Sequence, residues 1–408
     1  MSGDTDNRGI AAIEGVKVTK FEQRRKAIIR AAVGVINRKG VRGMTFSEVA
    51  TRLDLVTSAI SYYFRRKEDL AAACLMESIA CFERFADAAD AGTNPTERVR
   101  LYLLSLMRFW SELATGQADP VVLFNEVRTI GDPMVDVAYL QMYRRLRRQL
   151  DISPRLGPLE RNARTHQFIT QAIWMTLWAD RYDPRDFERI AERTADILIG
   201  GLAATDHHWS SATLPADLSA TPPDAFMTAA TELINEEGYR GASVDRIAAR
   251  LNLTKGAFYH RHDAKDDLVV AGFNRTLALI RHAQDRAEAT GTNSLERLCL
   301  AVDDLFRGHL DRSAPLLRIS ALAAVPEDIG QDIFLQFSRV SLHFAGIIAD
   351  GVRDGSIRAV DPNIAGFMIT AMISGATELT NWVPGVTAPN AASAFFRPLV
   401  EGMFSDSA

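Results

Sequence analysis

The sequence predicts an all-α protein made of two tandem units, each with a small N-terminal head and a larger helical body. Three observations predict it. Apolar residues recur at spacings of three and four, as in Val99-Tyr102-Leu103-Leu106 and Ile190-Thr194-Ile197-Leu198, with no sustained alternation. Residues 29–70 are written again, 198 positions later, as residues 227–268. Gly40 matches Gly238, Gly43 matches Gly241, Arg52-Leu53 matches Arg250-Leu251, and Asp69-Leu70 matches Asp267-Leu268. Between the copies, residues 205–223 carry Pro215, Pro222 and Pro223 among Ser, Thr and Ala, which marks a linker. A repeat of this kind sets the architecture before any single residue does.

Fainter matches extend the repeat into the bodies. Leu140-Gln141 with Arg144 resembles Leu335-Gln336 with Arg339, and Phe168 with Ala172 resembles Phe367 with Ala371. Leu198-Ile199 with Gly201 resembles Leu399-Val400 with Gly402. Their order is preserved, so each half is a complete unit. The expected division is an N-terminal arm at 1–20, a head at 21–71, a body at 72–204, a linker at 205–222, a second head at 223–270 and a second body at 271–408.

Composition limits the classes. With 408 residues the chain can fill more than one core, and 47% apolar with 24% charged residues is ordinary for a globular protein. No stretch reaches the length of a membrane helix and the N-terminus lacks a signal design, so a cytoplasmic protein without membrane contact is expected. Cys74, Cys81 and Cys299 fit neither a disulfide framework nor a zinc spacing and read as core residues; no metal or cofactor is expected. There is no nucleophile elbow, phosphate loop or His-Glu-x-x-His, so no enzyme is expected. The clusters Arg144-Arg145 and Arg147-Arg148 read as a solvated helix face.

Within the first head, helix 1 spans about Glu22 to Lys39, with Ile28, Ala31, Ala32, Val35 and Ile36 facing a core. Gly40 stops it at a position that needs positive φ. Thr45-Phe46-Ser47-Glu48 is a capping box that opens a short helix 2. Asp54, and Asn252 in the second copy, tolerate the left-handed turn that follows. A second short helix, about Thr57 to Phe64, completes a helix–turn–helix, and Lys67 opens a long fourth helix. That motif lays its second helix in the major groove of double-stranded DNA, where hydroxyl, amide and lysine groups reach phosphates and base edges. The candidate DNA-binding residues are Thr45, Thr57, Ser58, Ser61, Tyr62, Tyr63 and Lys67 in the first copy. In the second they are Ser243, Thr254, Lys255, Gly256, Tyr259, His260 and Lys265.

The run Leu253-Thr254-Lys255-Gly256-Ala257-Phe258-Tyr259-His260, followed by Lys265, resembles the signature of TetR-type (tetracycline-repressor) transcriptional regulators. Gly238-Tyr239-Arg240-Gly241-Ala242-Ser243 fits the same pattern, as do Gly40-Val41-Arg42-Gly43-Met44-Thr45 and Tyr62-Tyr63-Phe64-Arg65-Arg66-Lys67. The resemblance implies an all-helical homodimer whose bodies bind a small effector and pair through a four-helix bundle. In this chain the bundle would come from helices near 161–179 and 186–203 with counterparts near 361–380 and 390–404. The two units would then form a pseudo-dimer within one chain, with a further homodimer left open. The function implied is a ligand-responsive regulator, most often a repressor, acting on a DNA operator.

The copies depart from the pattern differently. Ser58 stands where the second copy keeps the family glycine, Ser61 replaces an aromatic, and His262 stands at the position of Phe64. From Lys17 to Leu70 the net charge is +8, whereas between Pro222 and Phe273 it is −2. Fewer phosphates neutralised means weaker and less salt-dependent binding, so the heads are expected to be unequal and the operator asymmetric. The rival is a sensor or partner-binding protein whose second head no longer reads DNA. For a small apolar or aromatic effector, the tryptophan-rich first body supplies Trp110, Phe124, Arg128, His166, Trp174 and Trp178. The second body holds its own aromatic set, so either is open.

Overall fold

The computed structural model describes residues 19–122, 131–210, 214, 225–241, 244–250 and 265–405. These residues are helical, with no strand among them and one isolated antiparallel bridge, Ala203 to Ile357. The first head comprises α1 (Lys20–Gly43), α2 (Phe46–Thr51) and α3 (Thr57–Tyr63). Its body is α4 (Lys67–Ala89), α5 (Pro95–Ala114), α6 (Pro133–Leu150), α7 (Pro158–Trp178) and α8 (Phe187–Gly200). The second half contributes α9 (Ala225–Gly241), α10 (Val244–Arg250), α11 (Lys265–Thr290), α12 (Ser294–Leu310), α13 (Glu327–Asp354), α14 (Pro362–Gly375) and α15 (Leu379–Trp382). It closes with α16 (Ala388–Ala391), a π-helical turn (Ala392–Phe396) and α17 (Arg397–Glu401).

The repeat is visible in hydrogen bonds. Asn94 caps α5 by accepting from the Glu97 N–H, and Asn293 caps α12 by accepting from the Glu296 N–H, both at 2.9 Å. Arg98 Nε donates to the Gly92 carbonyl and Arg297 Nε to the Gly291 carbonyl, both at 3.2 Å. Each head is pinned to its body by one asparagine: Asn37 Nδ2 donates to the Val121 carbonyl and Asn235 Nδ2 to the Leu316 carbonyl, both at 2.8 Å.

The halves meet where the sequence places the bundle. α7 packs on α14, α15 and the π-helical turn, and α8 on α14 and α17. At the centre the exchange is reciprocal. The Leu202 N–H donates to the Leu399 carbonyl at 3.1 Å, and the Met403 N–H donates to the Leu198 carbonyl at 2.8 Å. Gly201 (φ 73) and Gly402 (φ 93) sit at this crossing. A Cβ on Gly201 would stand 2.4 Å from the Val400 carbonyl oxygen, and one on Gly402 2.4 Å from that of Ile199. Only glycine combines that φ with that approach. Arg358 adds a charged clamp, donating to the Gly201 carbonyl at 2.6 Å and pairing with Asp196 at 2.8 Å. Arg193 pairs with Asp361 across the same seam.

On α6, Arg144, Arg147 and Arg148 are exposed, as the solvated-face reading expects, while Arg145 departs from it. Arg145 binds Glu83 at 2.5 Å, Asp87 at 2.7 Å and Asp90 at 2.6 Å, locking α6 onto α4. All three cysteines are buried, and burial pushes the thiols of Cys74 and Cys299 up to about 12 and that of Cys81 to about 11. They stay protonated and serve as core.

Candidate nucleic-acid interface and seam cavity

The first head builds its exposed face from a short, well-capped turn. α1 begins at Lys20, earlier than its apolar periodicity indicates, because Thr19 and Glu22 form a capping box. Gly40 breaks it with φ 69. Thr45 caps α2, its hydroxyl accepting from the Glu48 N–H at 3.3 Å, and Glu48 turns its carboxylate to the Thr45 hydroxyl and to Lys39. These contacts hold the Glu48 carboxyl below the usual range, the Lys39 hydrogen bond contributing most. Asp54 takes φ 51 in the turn, and Leu55 N–H returns to the Ala50 carbonyl at 2.9 Å.

α3 then divides its residues by side. Ile60 and Phe64 are buried in the head core. Thr57, Ser58, Ser61 and Tyr62 are exposed, Tyr63 is half-buried, and Thr45 and Lys67 are exposed beside them. Ser61 donates to the Thr57 carbonyl at 3.3 Å, so its hydroxyl is partly engaged by its own helix. Two residues that sequence reasoning missed complete this face. Phe21 packs against Tyr63 at 4.7 Å with the rings tilted by 33° and meets Tyr62 edge-on at 6.2 Å, which ties the start of α1 to the end of α3. Val56 is 69% exposed at the N-cap of α3, where it supplies no capping hydrogen bond. An apolar residue at an N-cap is itself a signal, since Ser, Thr, Asp or Asn is the stabilising choice there.

The positive charge is not all free to meet phosphates. Arg30 pairs with Asp119 at 3.1 Å, Arg66 with Asp69 at 2.7 Å, and Lys39 with Glu48. Lys20, Arg24, Lys26, Arg38 and Arg65 remain exposed around α1 and α3. In the second head Ser243, Thr254, Lys255, Gly256, Tyr259 and His260 lie outside the described residues. Of Lys265 the backbone is described, at the first position of α11.

The surroundings of the second head are described and differ in kind. Arg250 pairs with Glu236 at 2.9 Å and Glu232 at 3.2 Å, and Arg312 stands 3.7 Å from Glu236. The Arg250 hydrogen bond holds the Glu236 carboxyl below its ordinary range. At the equivalent place in the first head, Arg52 lies across Gly34, its Nη1 only 2.6 Å from where a Cβ would stand. Two of the acids behind the negative count are thus directed at arginines.

A half-open crevice lies between the halves, and its roughly 300 Å³ of empty space includes the mouth that opens to solvent. Trp174, Trp178 and Arg181 of the first half face Phe337, Ser338 and Phe367 of the second. Two of the six proposed effector residues, Trp174 and Trp178, therefore come together, in a site that both halves build. His166 lies elsewhere in the seam. Its Nε2–H donates to the Gly375 carbonyl at 3.3 Å, its ring stacks on Phe395, and burial lowers its pKa to about 4. Trp110 is half-buried on α5 beside Phe109, while Phe124 and Arg128 lie outside the described residues. Sequence reasoning missed Arg181 and the second-half wall, because spacing along one helix does not say which face meets a partner 160 residues away.

The family model for bacterial regulatory proteins of the tetR family matches residues 28–74 and again residues 226–271. The chain belongs to the TetR family. A second model, the tetracyclin repressor-like C-terminal domain, matches residues 291–382, so it falls in the second half. The TetC protein of transposon Tn10 from Escherichia coli is 31% identical over 87 residues, 21% of this chain. That match spans 42% of TetC, less than half of its length. Among solved structures, AibR in complex with isovaleryl coenzyme A and operator DNA has 21% identity and a TM-score of 0.37, covering 43% of this chain and 96% of AibR. The TetR family regulator PfmR from Thermus thermophilus has 20% identity and a TM-score of 0.36, covering 44% of this chain and 98% of PfmR. The TetR-family chain has two tandem N-terminal domains on an all-helical scaffold, and no described helix is long and apolar enough to cross a membrane.

Proposed function

We propose that this TetR-family regulator is a ligand-responsive repressor that reads one DNA operator with two unequal heads. In this reading residues 21–71 and 223–270 are the heads, and the bodies at 72–204 and 271–408, joined by the linker, form a pseudo-dimer within one chain. The observation that carries it is the exposed face of α3, where Thr57, Ser58, Ser61 and Tyr62 stand clear of the core amid exposed arginine and lysine. Such a face fits the major groove, with hydroxyls for phosphates and base edges and a flanking positive field. The reciprocal bonds at Gly201 and Gly402 support internal pairing, because a contact in which each half gives the other an equivalent bond is how two-fold dimers are built. A second reading, in which only the first head binds DNA, is favoured by the tethering of Arg250 to Glu232 and Glu236.

The test uses the full chain and the promoter DNA upstream of its own gene. Ser58→Ala with Tyr62→Ala is expected to weaken binding at least tenfold, on the scale of about 1–3 kcal/mol per lost contact. Unchanged affinity would remove α3 as the reading element. Lys255→Ala with Tyr259→Ala is expected to weaken binding as well and to flatten its salt dependence. If neither changes, the one-headed reading replaces the two-headed one. A footprint of two equivalent inverted half-sites would overturn the inequality of the heads.

A further inference from the structure

We propose that the seam cavity is the effector site, that it accepts one flat aromatic monocarboxylate per chain, and that this single ligand addresses both heads. The inference deepens the regulator reading and rests on it for its regulatory consequence, though not for binding itself.

The walls select the shape. Trp178 stacks on Phe367 at 5.3 Å with 10° between the rings, so the seam already holds parallel aromatic planes. Trp174 and Phe337 extend the apolar surface, and a planar ring system gains most from walls of this kind. The polar groups select the charge. Arg181 lines the cavity with its guanidinium 5.6 Å from the Phe367 ring centre and one Nη bonded to the Ser338 hydroxyl. Its ion-pair partner Asp180 is 3.7 Å away and largely exposed, a pairing that screens the cation little. Trp178 is buried, and its indole N–H has no acceptor. Buried donors are ordinarily paired, and this unpaired one belongs to a residue that lines the cavity. One guanidinium and neutral donors match a single carboxylate; a phosphate dianion would need a second cation.

The fold sets the stoichiometry. At the offset of the Leu140–Leu335 match, Phe334 and Ser338 correspond to Tyr139 and Tyr143. There the crevice is filled: Trp382 stacks on Tyr143 at 5.5 Å and packs against Tyr139 at 5.1 Å. One of two equivalent crevices is plugged by the chain itself and the other is open. The open one also has a route to DNA. Most of its second-half wall, Phe334, Phe337, Ser338 and Ser341, belongs to α13, which starts three residues after the turn Ile319–Ala324. That turn touches α1 of the first head and α9 and α11 of the second half. A ligand that moves α13 relative to α7 therefore displaces a turn held against both heads, which is the differential contact a population shift requires.

The experiment is calorimetric titration of the full chain with 2-naphthoate and with neutral 2-naphthylmethanol, alongside retardation of the promoter DNA. The expected result is one 2-naphthoate per chain, bound at least tenfold more tightly than the alcohol. Arg181→Gln should bring the acid down to the affinity of the alcohol and leave the alcohol unchanged, with Arg181→Lys restoring part of the difference. Two molecules per chain, equal affinity for acid and alcohol in the unaltered protein, or no loss in a helical, cooperatively melting Arg181→Gln chain would each overturn the proposal. A chain that retards promoter DNA but binds no 2-naphthoate sinks the cavity and keeps the regulator. One that binds 2-naphthoate but no promoter DNA does the reverse.

Discussion

Helices α7 and α14 hold equivalent places in the two halves, yet α7 mixes polar with apolar buried residues where α14 is almost wholly apolar. α7 buries Arg164, Thr165, His166, Gln167, Thr170 and Gln171, whereas α14 buries Ile364, Ala365, Phe367, Met368 and Ile369. Two polar side chains of α7 find backbone acceptors on α14: Gln171 donates to the Met368 carbonyl at 2.9 Å and His166 to the Gly375 carbonyl, while the buried Gln167 amide has no partner. In a symmetric dimer each helix would face its own copy, and a self-paired α7 would bury amides and an imidazole against the same groups. The heads differ in the same spirit. Arg52 lies over a glycine, while its equivalent Arg250 is held by two glutamates. Joining the units in one chain frees each from having to complement itself.

The largest effect is expected where the halves are most alike. Gly402→Ala adds a Cβ against the Ile199 carbonyl in a left-handed conformation and should cost about 3 kcal/mol or more. Gly201→Ala should cost a similar amount. Gly355→Ala, with φ 84 but open space around its Cβ, should cost only about 1–2 kcal/mol. Urea denaturation of the three variants checks this, and equal losses in all of them would deny the crossing its special role.

The next effect tests the polar side of the seam by pH. His166 is lowered to about 4 by burial, against an unfolded value near 6.5. Between those values the unfolded chain takes up a proton that the folded chain refuses. Stability should therefore be full above pH 6.5 and fall by roughly 3 kcal/mol by pH 4. His309, also lowered to about 4, adds in the same direction. His166→Phe should flatten the profile in that window, and an unchanged profile would place the titration elsewhere.

The smallest test makes the heads more alike. Gly34→Glu gives Arg52 the partner that Glu232 gives Arg250. It should lower the slope of log affinity against log salt by about one while leaving sequence preference intact. An unchanged slope would show that Arg52 does not meet a phosphate.

Much of the first head was legible because its signals are local. The Thr45 cap, the positive φ of Gly40, the left-handed Asp54 and the buried face of α1 depend on neighbours within a few residues. The bundle segments were legible as well, through apolar periodicity and the family resemblance. Phe21 on Tyr63 and Arg181 on Ser338 were not, since they join residues that only tertiary packing brings together. Gly92-Thr93-Asn94 with Glu97-Arg98 recurs as Gly291-Thr292-Asn293 with Glu296-Arg297, a repeat that lay open in the sequence. A search guided by apolar spacing passes over it because it is polar. Its meaning is hydrogen bonding at a helix start.

The crossing at Gly201 and Gly402 also imposes a timetable on synthesis. Leu198 leaves the ribosome about 200 residues before Met403, the residue whose N–H it accepts. At about 5–20 residues per second, the first half waits roughly 10–40 s with the seam face of α7 and α8 uncovered. The buried amides and arginine of α7 give that waiting surface something to offer water. A hydrocarbon face like that of α14 would spend the same interval as an invitation to aggregate, and α14 is made only after its partner α7 is already in place.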